Sequence, residues 1–163
     1  MQKLQTGDIL LFRPTSIMGY LASLLTWSKY SHAAMIEVVN GITYCLEVRE
    51  FLGGRRIELA NYGGRCEVWR LRDAPYNYFC ENAAMQMYKF LGVEYGWCHV
   101  IAAIALRGVR AYGCKECKHH PPFCSEAVSR AYRLAGIDLQ PDISDRFTLP
   151  GDLAGSPYLE RVI

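Results

Sequence analysis

The sequence predicts an α+β fold: a small, mainly antiparallel sheet with helices packed on it. Three observations carry that prediction. Short strand-like runs recur through the first 71 residues, an Asn-Gly pair joins two of them, and stretches with helical spacing of apolar residues precede and follow them without strict alternation.

Taken in order, Thr6-Gly7-Asp8 leads into Ile9-Leu10-Leu11-Phe12, a continuous apolar run suited to a buried strand, and Pro14 ends it. Thr15 or Ser16 can cap a helix to about 27, with Ile17, Leu21, Leu24 and Leu25 on one side. Runs 31–39 and 42–49 flank Asn40-Gly41, a strong hairpin signal because both central residues of a type I′ turn need positive φ. Gly53-Gly54 reads as a turn, 55–59 as a further strand, and 66–71 alternates again. Residues 76–91 have helical periodicity through Phe79, Ala83, Met87 and Phe90 and stop at Gly92. Residues 97–106 are apolar on most sides, the pattern of a buried helix, and 111–122 are irregular. Cys124 begins a helix ending at Gly136, with Val128, Ala131, Leu134 and Ala135 inside, and a short last strand follows at 158–162. No linker or internal repeat divides the chain, so residues 1–163 read as one domain.

Composition narrows the function classes. At 51% hydrophobic and 21% charged, the chain is neither a disordered tail nor a disulfide miniprotein. The net charge is +2 (18 basic minus 16 acidic) with no dense Lys/Arg stripe, so nucleic acid is not an expected partner. Seven irregularly spaced cysteines suit reduced thiols in a cytosol-like compartment. The first five residues hold no apolar signal core, and the apolar stretches 17–27 and 100–106 fall short of the ~20 residues of a spanning helix. The expectation is a cytoplasmic protein without a transmembrane segment.

The hairpin register places chemistry. With a two-residue turn at Asn40-Gly41, His32 faces Arg49, and His32 and Glu47 become diagonal neighbours about 7–8 Å apart at Cα on one face. A carboxylate there can hold one imidazole nitrogen and leave the other free as a base. The alternative is a half-exposed histidine beside a Glu47–Arg49 pair on a solvated face.

Cys124 is the candidate nucleophile. It follows Pro121-Pro122-Phe123 and falls in the first turn of a helix, where the dipole and unpaired N–H groups favour a thiolate and can stabilise an oxyanion. Its alternative is an inert buried cysteine. Cys45, Cys66, Cys80 and Cys98 lie inside periodic patterns, where a cysteine is usually a small buried hydrophobe. Cys114-x-x-Cys117-x-His119-His120 has zinc-ligand spacing, so a zinc-stabilised binding module is a further reading, although no second Cys-x-x-Cys is present. His99, on an apolar helix, reads as a core or partner-bound histidine.

The order of these pieces resembles a known family. Gly7-Asp8-Ile9-Leu10-Leu11-Phe12, Ser31-His32-Ala33-Ala34-Met35 and Leu46-Glu47-Val48 form one half. Gly92-Val93-Glu94-Tyr95-Gly96, Phe123-Cys124-Ser125-Glu126-Ala127-Val128, Ala135-Gly136-Ile137 and Pro150-Gly151-Asp152-Leu153 form the other. Together they resemble the circularly permuted branch of the NlpC/p60 superfamily, the YiiX-like papain-fold cysteine hydrolases. In papain-like enzymes the cysteine helix comes first; here His32 precedes Cys124 by 92 residues (124 minus 32), as a permutation would place them.

The resemblance implies Cys124 as nucleophile, His32 as base and Glu47 as its orienting partner, without a cofactor. It implies peptide or peptidoglycan stem-peptide amides as substrates. Tyr30 or Tyr95 could add a hydroxyl donor near the carbonyl. A lipid-acyl branch of the superfamily carries Asn-Cys-Glu-His-Phe and a second histidine, whereas this chain has Phe123-Cys124-Ser125-Glu126-Ala127 and Glu47. Lipid acyl transfer or thioester hydrolysis is therefore the runner-up. A cell-wall substrate and a cytosol-like chain are reconciled by a virus- or phage-encoded protein, or by an intracellular amide or acyl substrate.

Overall fold

The structure is a computed structural model that describes residues 3–15, 17–63, 65–72, 76–105 and 120–163. Its centre is a six-stranded antiparallel sheet. The strands are β1 (Ile9–Phe12), β2 (His32–Val39), β3 (Ile42–Arg49), β4 (Gly53–Glu58), β5 (Cys66–Leu71) and β6 (Leu159–Arg161), in spatial order β4-β3-β2-β1-β5-β6. Among the described residues, five α-helices accompany it: α1 (Ile17–Thr26), α2 (Tyr76–Met87), α3 (Trp97–Ala105), α4 (Cys124–Leu134) and the short α5 (Pro150–Ala154). The predicted α+β class holds.

The hairpin follows the predicted register. Val39 pairs with Ile42 and Met35 with Leu46, and Asn40 and Gly41 both take positive φ, 51° and 81°. Because side chains alternate along a strand, this register sorts residues between two faces. One face carries Ile9, Leu11, Ala33, Met35, Leu46 and Val48, packed against α2 and α4. Ala127, Val128 and Ala131 give α4 a small-residue face that lets it lie close on β2 and β3. The other face, with Leu10, Phe12, Ala34, Ile36 and Cys45, is covered from the sheet edges by Ile57, Leu59, Tyr62 and Val162.

Several expectations need correction. The strand expected at 55–59 begins at Gly53, because Gly53 and Gly54 pair with Arg49 and Val48 rather than forming a free turn. A Cβ at Gly54 would run into the Phe90 carbonyl, so this edge is pressed against the end of the α2 segment. The 76–91 helix gives way after Met87 to one turn of 3-10 helix, Tyr88–Phe90. α3 is not a buried helix: His99 and Ala103 are buried, while Trp97, Cys98 and Ile101 are exposed. Cys98 is thus no core residue, and Leu134 also faces solvent rather than inward. Cys45 and Cys80 are buried and Cys66 half-buried.

Candidate active site

His32 is the first residue of β2, so its ring lies at an end of the sheet rather than in mid-face. Its Nε2 is 2.5 Å from Glu47 Oε2, the diagonal neighbour on β3. Glu47 is fully buried and accepts two further hydrogen bonds, from Arg55 Nε (2.7 Å) and the Tyr62 hydroxyl (2.7 Å). Arg55 stands directly opposite Glu47 in the β3–β4 register, and Arg49 donates to the Tyr62 hydroxyl at 3.0 Å. The solvated Glu47–Arg49 pair is therefore absent: Arg49 reaches Glu47 only through Tyr62. Phe12 packs between the rings of His32 (centroids 5.6 Å) and Tyr62 (4.6 Å), fixing the imidazole plane from a third strand.

Cys124 is the first residue of α4, with Phe123 as an extended N-cap. The first-turn N–H groups have no partner within the helix. Glu126, in the same turn, takes the Phe123 N–H and binds His99 Nδ1 at 2.9 Å, both buried. The Ser125 hydroxyl donates to the Thr148 carbonyl (2.8 Å), and Ser129 to Asp145 (2.8 Å). These buried polar contacts pin the start of α4 to 144–149. A Cβ at Gly96 would strike the Pro121 carbonyl, so the 92–96 segment lies directly against the approach to Cys124.

The two halves meet. Cys124 lies near enough to His32 to raise its pKa, and Tyr95 packs against the apolar cluster that holds Cys124. With Nε2 taken by Glu47, Nδ1 is the ring nitrogen left for Cys124; it is buried and has no hydrogen-bond partner among the described residues. Burial disfavours charge on His32, yet Cys124 and Glu47 outweigh it and raise its pKa. Burial likewise opposes ionised Glu47, but His32, Tyr62 and Arg55 hold its carboxyl below the usual range. Burial, then Cys124, push the Tyr95 hydroxyl well up, so it stays a proton donor.

Of the candidate residues, Cys124, His32, Glu47 and Tyr95 come together. Tyr30 does not join them: its hydroxyl donates to Glu67 at 2.6 Å, so its one proton is committed elsewhere. Cys114, Cys117 and His119 lie outside the described residues. His120 is exposed, its ring 5.4 Å from that of His99. Among the described residues no group of three or more His, Cys, Asp or Glu side chains could hold a metal ion.

Sequence reasoning missed Arg55, Tyr62 and the His99–Glu126 pair. The β3–β4 register, had the second hairpin been placed at Gly53, would have found Arg55. Nothing local marks Tyr62, which arrives from a loop.

An arrangement of thiol, imidazole and carboxylate at a helix start can separate charge. Such an arrangement lets a thiol proton pass to an imidazole, with a carboxylate to steady the imidazolium and a helix dipole to steady a thiolate. Cys124 is 2% and His32 8% exposed, so little of either meets solvent. A cleft of about 120 Å³ opens beside His32 between Phe12, Gly19 and Arg49. A second, about 340 Å³, runs past Tyr95 between Phe51, Val93 and Trp97.

No family model matches the sequence, and no curated protein does. Among solved structures, the chain is similar to the crystal structure of metalloprotein yiiX from Escherichia coli O157:H7, DUF1105. The TM-score is 0.73, with 19% sequence identity over 99% of this chain and 98% of that one. The likeness extends over the whole fold, and at this identity it speaks for the fold alone.

Proposed function

We propose that the protein is a cysteine hydrolase of the permuted papain-like kind, cleaving amide bonds through a thioester on Cys124. The observation that carries the proposal is His32 held by Glu47 on Nε2, its buried Nδ1 unpartnered among the described residues, with the helix-start Cys124 near enough to raise its pKa. The chain order of histidine strand before cysteine helix, and the YiiX-like fold, support the permuted arrangement.

In the reaction, His32 Nδ1 takes the thiol proton and the Cys124 sulfur attacks the amide carbonyl carbon. The oxyanion is met by the Cys124 backbone N–H and by the Tyr95 hydroxyl. As the intermediate collapses, His32 returns the proton to the leaving amine, which departs and leaves an acyl-thioester. Water, deprotonated by His32, then attacks the thioester; the carboxylic acid leaves and the proton goes back to Cys124. Peptide or stem-peptide amides are the proposed substrates.

The yiiX protein is described as a metalloprotein. The donors described here do not fit a resident metal: Glu47 is turned to the far nitrogen of His32, leaving Cys124 and His32 as only two converging ligands. A second reading, acyl-lipid ester cleavage by the same thiol, is favoured by the exposed apolar residues Phe51, Leu52 and Trp97 around the Tyr95 cleft.

The test is the pH dependence of Cys124 alkylation, read by peptide mass mapping, in the wild type and in His32→Ala. Rapid labelling below pH 7 that the substitution slows is expected. Labelling only near the free-thiol pKa of about 8.5, indifferent to His32, would overturn the proposal. Release of amine from peptides against release of alcohol from acyl esters, each abolished in Cys124→Ala, separates the two substrate readings.

A further inference from the structure

α1 presents its apolar side to solvent. Ile17, Tyr20, Leu21, Leu24 and Leu25 are 81%, 62%, 49%, 74% and 59% exposed, and Trp27, just past its end, is 90% exposed. The stripe at i, i+4, i+7 and i+8 that would ordinarily seat a helix on a core points outward instead. The helix carries no charged side chain, and among its described side chains only Thr26 is buried. Trp27 also takes a left-handed φ of 52°, held by its N–H on the Leu24 carbonyl. The fold therefore spends a strained backbone position on a tryptophan that touches almost nothing.

Beside this apolar helix lies a cationic cleft of about 780 Å³ lined by Arg13, Thr15, Tyr20, Ser23, Lys29 and Arg65. Two of these cations, Arg13 (3.0 Å) and Lys29 (2.9 Å), share the mostly shielded carboxylate of Glu67 with Arg161 (3.4 Å). Arg13 and Lys29 remain about half exposed, and Arg65 is exposed. Among the described residues, the three cations that line the cleft, Arg13, Lys29 and Arg65, stand against the one carboxylate of Glu67, so the cleft is positive.

We infer that α1 and this cleft dock the protein on an anionic lipid bilayer. The apolar stripe enters the boundary between headgroups and acyl chains, with Tyr20 and Trp27 at the interfacial depth aromatic rings favour. Arg13, Lys29 and Arg65 meet the lipid phosphates. Charge complementarity selects a bilayer over a second copy of the chain, because a copy would bring its own positive cleft against this one. Gly19 of α1 lines the small cleft beside His32, so the docked helix sets that cleft at the membrane surface. The inference stands on α1 and its cations and is independent of the hydrolase reading.

The experiment is co-sedimentation of the full chain with vesicles of phosphatidylcholine alone and of phosphatidylcholine mixed with phosphatidylglycerol, at low and high salt. Binding to the mixed vesicles, weakened by salt, is expected. Leu24→Glu and Trp27→Glu, both at exposed positions, each weaken it by roughly tenfold or more, the scale of losing one inserted apolar side chain. Arg65→Glu removes the preference for phosphatidylglycerol. Circular dichroism and the thermal midpoint of each variant stay at wild-type values. Failure to sediment with either vesicle, or equal binding to both at low salt, overturns the inference. So does displacement from the mixed vesicles by glycerol 3-phosphate at matched ionic strength, which would make the cleft a site for free phosphate esters. A dimer in solution that Leu24→Glu dissociates, with no vesicle binding, would likewise assign the face to a second copy.

Discussion

Replacing Glu47 by Gln keeps shape and removes charge. Oε2 accepts from His32 Nε2 and Tyr62, and Oε1 from Arg55, while the side chain has no exposure. A glutamine has one acceptor oxygen, so it can serve His32 and Tyr62 or serve Arg55, but not both sides. Arg55 is 30% exposed and can turn to water, which leaves the amide oxygen for His32. The neutral bond that remains is worth about 1 kcal/mol, against about 1.5–3 for the charge-assisted one. Adding the lost attraction between carboxylate and imidazolium, the proposed Cys124–His32 pair should weaken by about 1.5–3 kcal/mol. Labelling of Cys124 below pH 7 then slows by about 10- to 150-fold. Iodoacetamide labelling of Cys124 across pH reads this directly, alongside the thermal midpoint. A variant that melts earlier yet labels Cys124 at the wild-type rate below pH 7 would refute the reasoning and leave Glu47 a structural anchor only.

Stability should depend on pH through the same pair. His32 is raised from its ordinary 6.5 to about 10, burial opposing and Cys124 and Glu47 prevailing, so its contribution is whole below pH 6.5 and lost as pH climbs through about 10. Glu47 is lowered from 4.5 to about 2 despite burial, so its contribution is whole above pH 4.5 and lost as pH falls through about 2. Urea midpoints should therefore be highest between the two, and His32→Gln should flatten the alkaline side; an unchanged alkaline slope contradicts the assignment. Tyr62→Phe removes one buried donor to Glu47 and should cost about 1–2 kcal/mol of unfolding free energy, with labelling of Cys124 reduced only a few-fold. A loss of labelling as large as that of Glu47→Gln would show that Tyr62 matters as much as the carboxylate. Chelator is expected to change neither the thermal midpoint nor Cys124 labelling, because the proposed chemistry uses thiol, imidazole and carboxylate alone. Stoichiometric zinc released together with a fall in either would return the metal to Cys114, Cys117 and His119.

What could be read from the chain was whatever short-range rules specify. Asn40-Gly41 fixes a register, and that register alone puts His32 diagonal to Glu47. Pro121-Pro122 ahead of Cys124 marked a helix start. What escaped depends on contacts distant in sequence. Tyr62 reaches Glu47 from a loop, and His99 meets Glu126 across 27 positions. Periodicity also reports only that a helix has an apolar side, not where that side points, which is why Ile17, Leu21 and Leu24 carry the spacing of a core helix and yet lie in solvent. Tyr30 shows the same limit: its place next to the hairpin says nothing of Glu67, 37 positions on, which captures its hydroxyl.

The separation of the site along the chain has a consequence for how the protein matures. His32 and Glu47 are joined by a tight local hairpin, a pairing that closes a short loop and forms early at little entropic cost. Cys124 joins them only after α4 has docked on β2 and β3, which closes a loop of some ninety residues. During synthesis the thiol thus emerges as an ordinary, weakly acidic cysteine and acquires its partner last. Low-pH alkylation during refolding should therefore return with the slowest phase, in step with α4 docking, while the hairpin's own signals recover earlier. Under the proposed function, the nascent chain is in this way spared a reactive cysteine until the folded site exists.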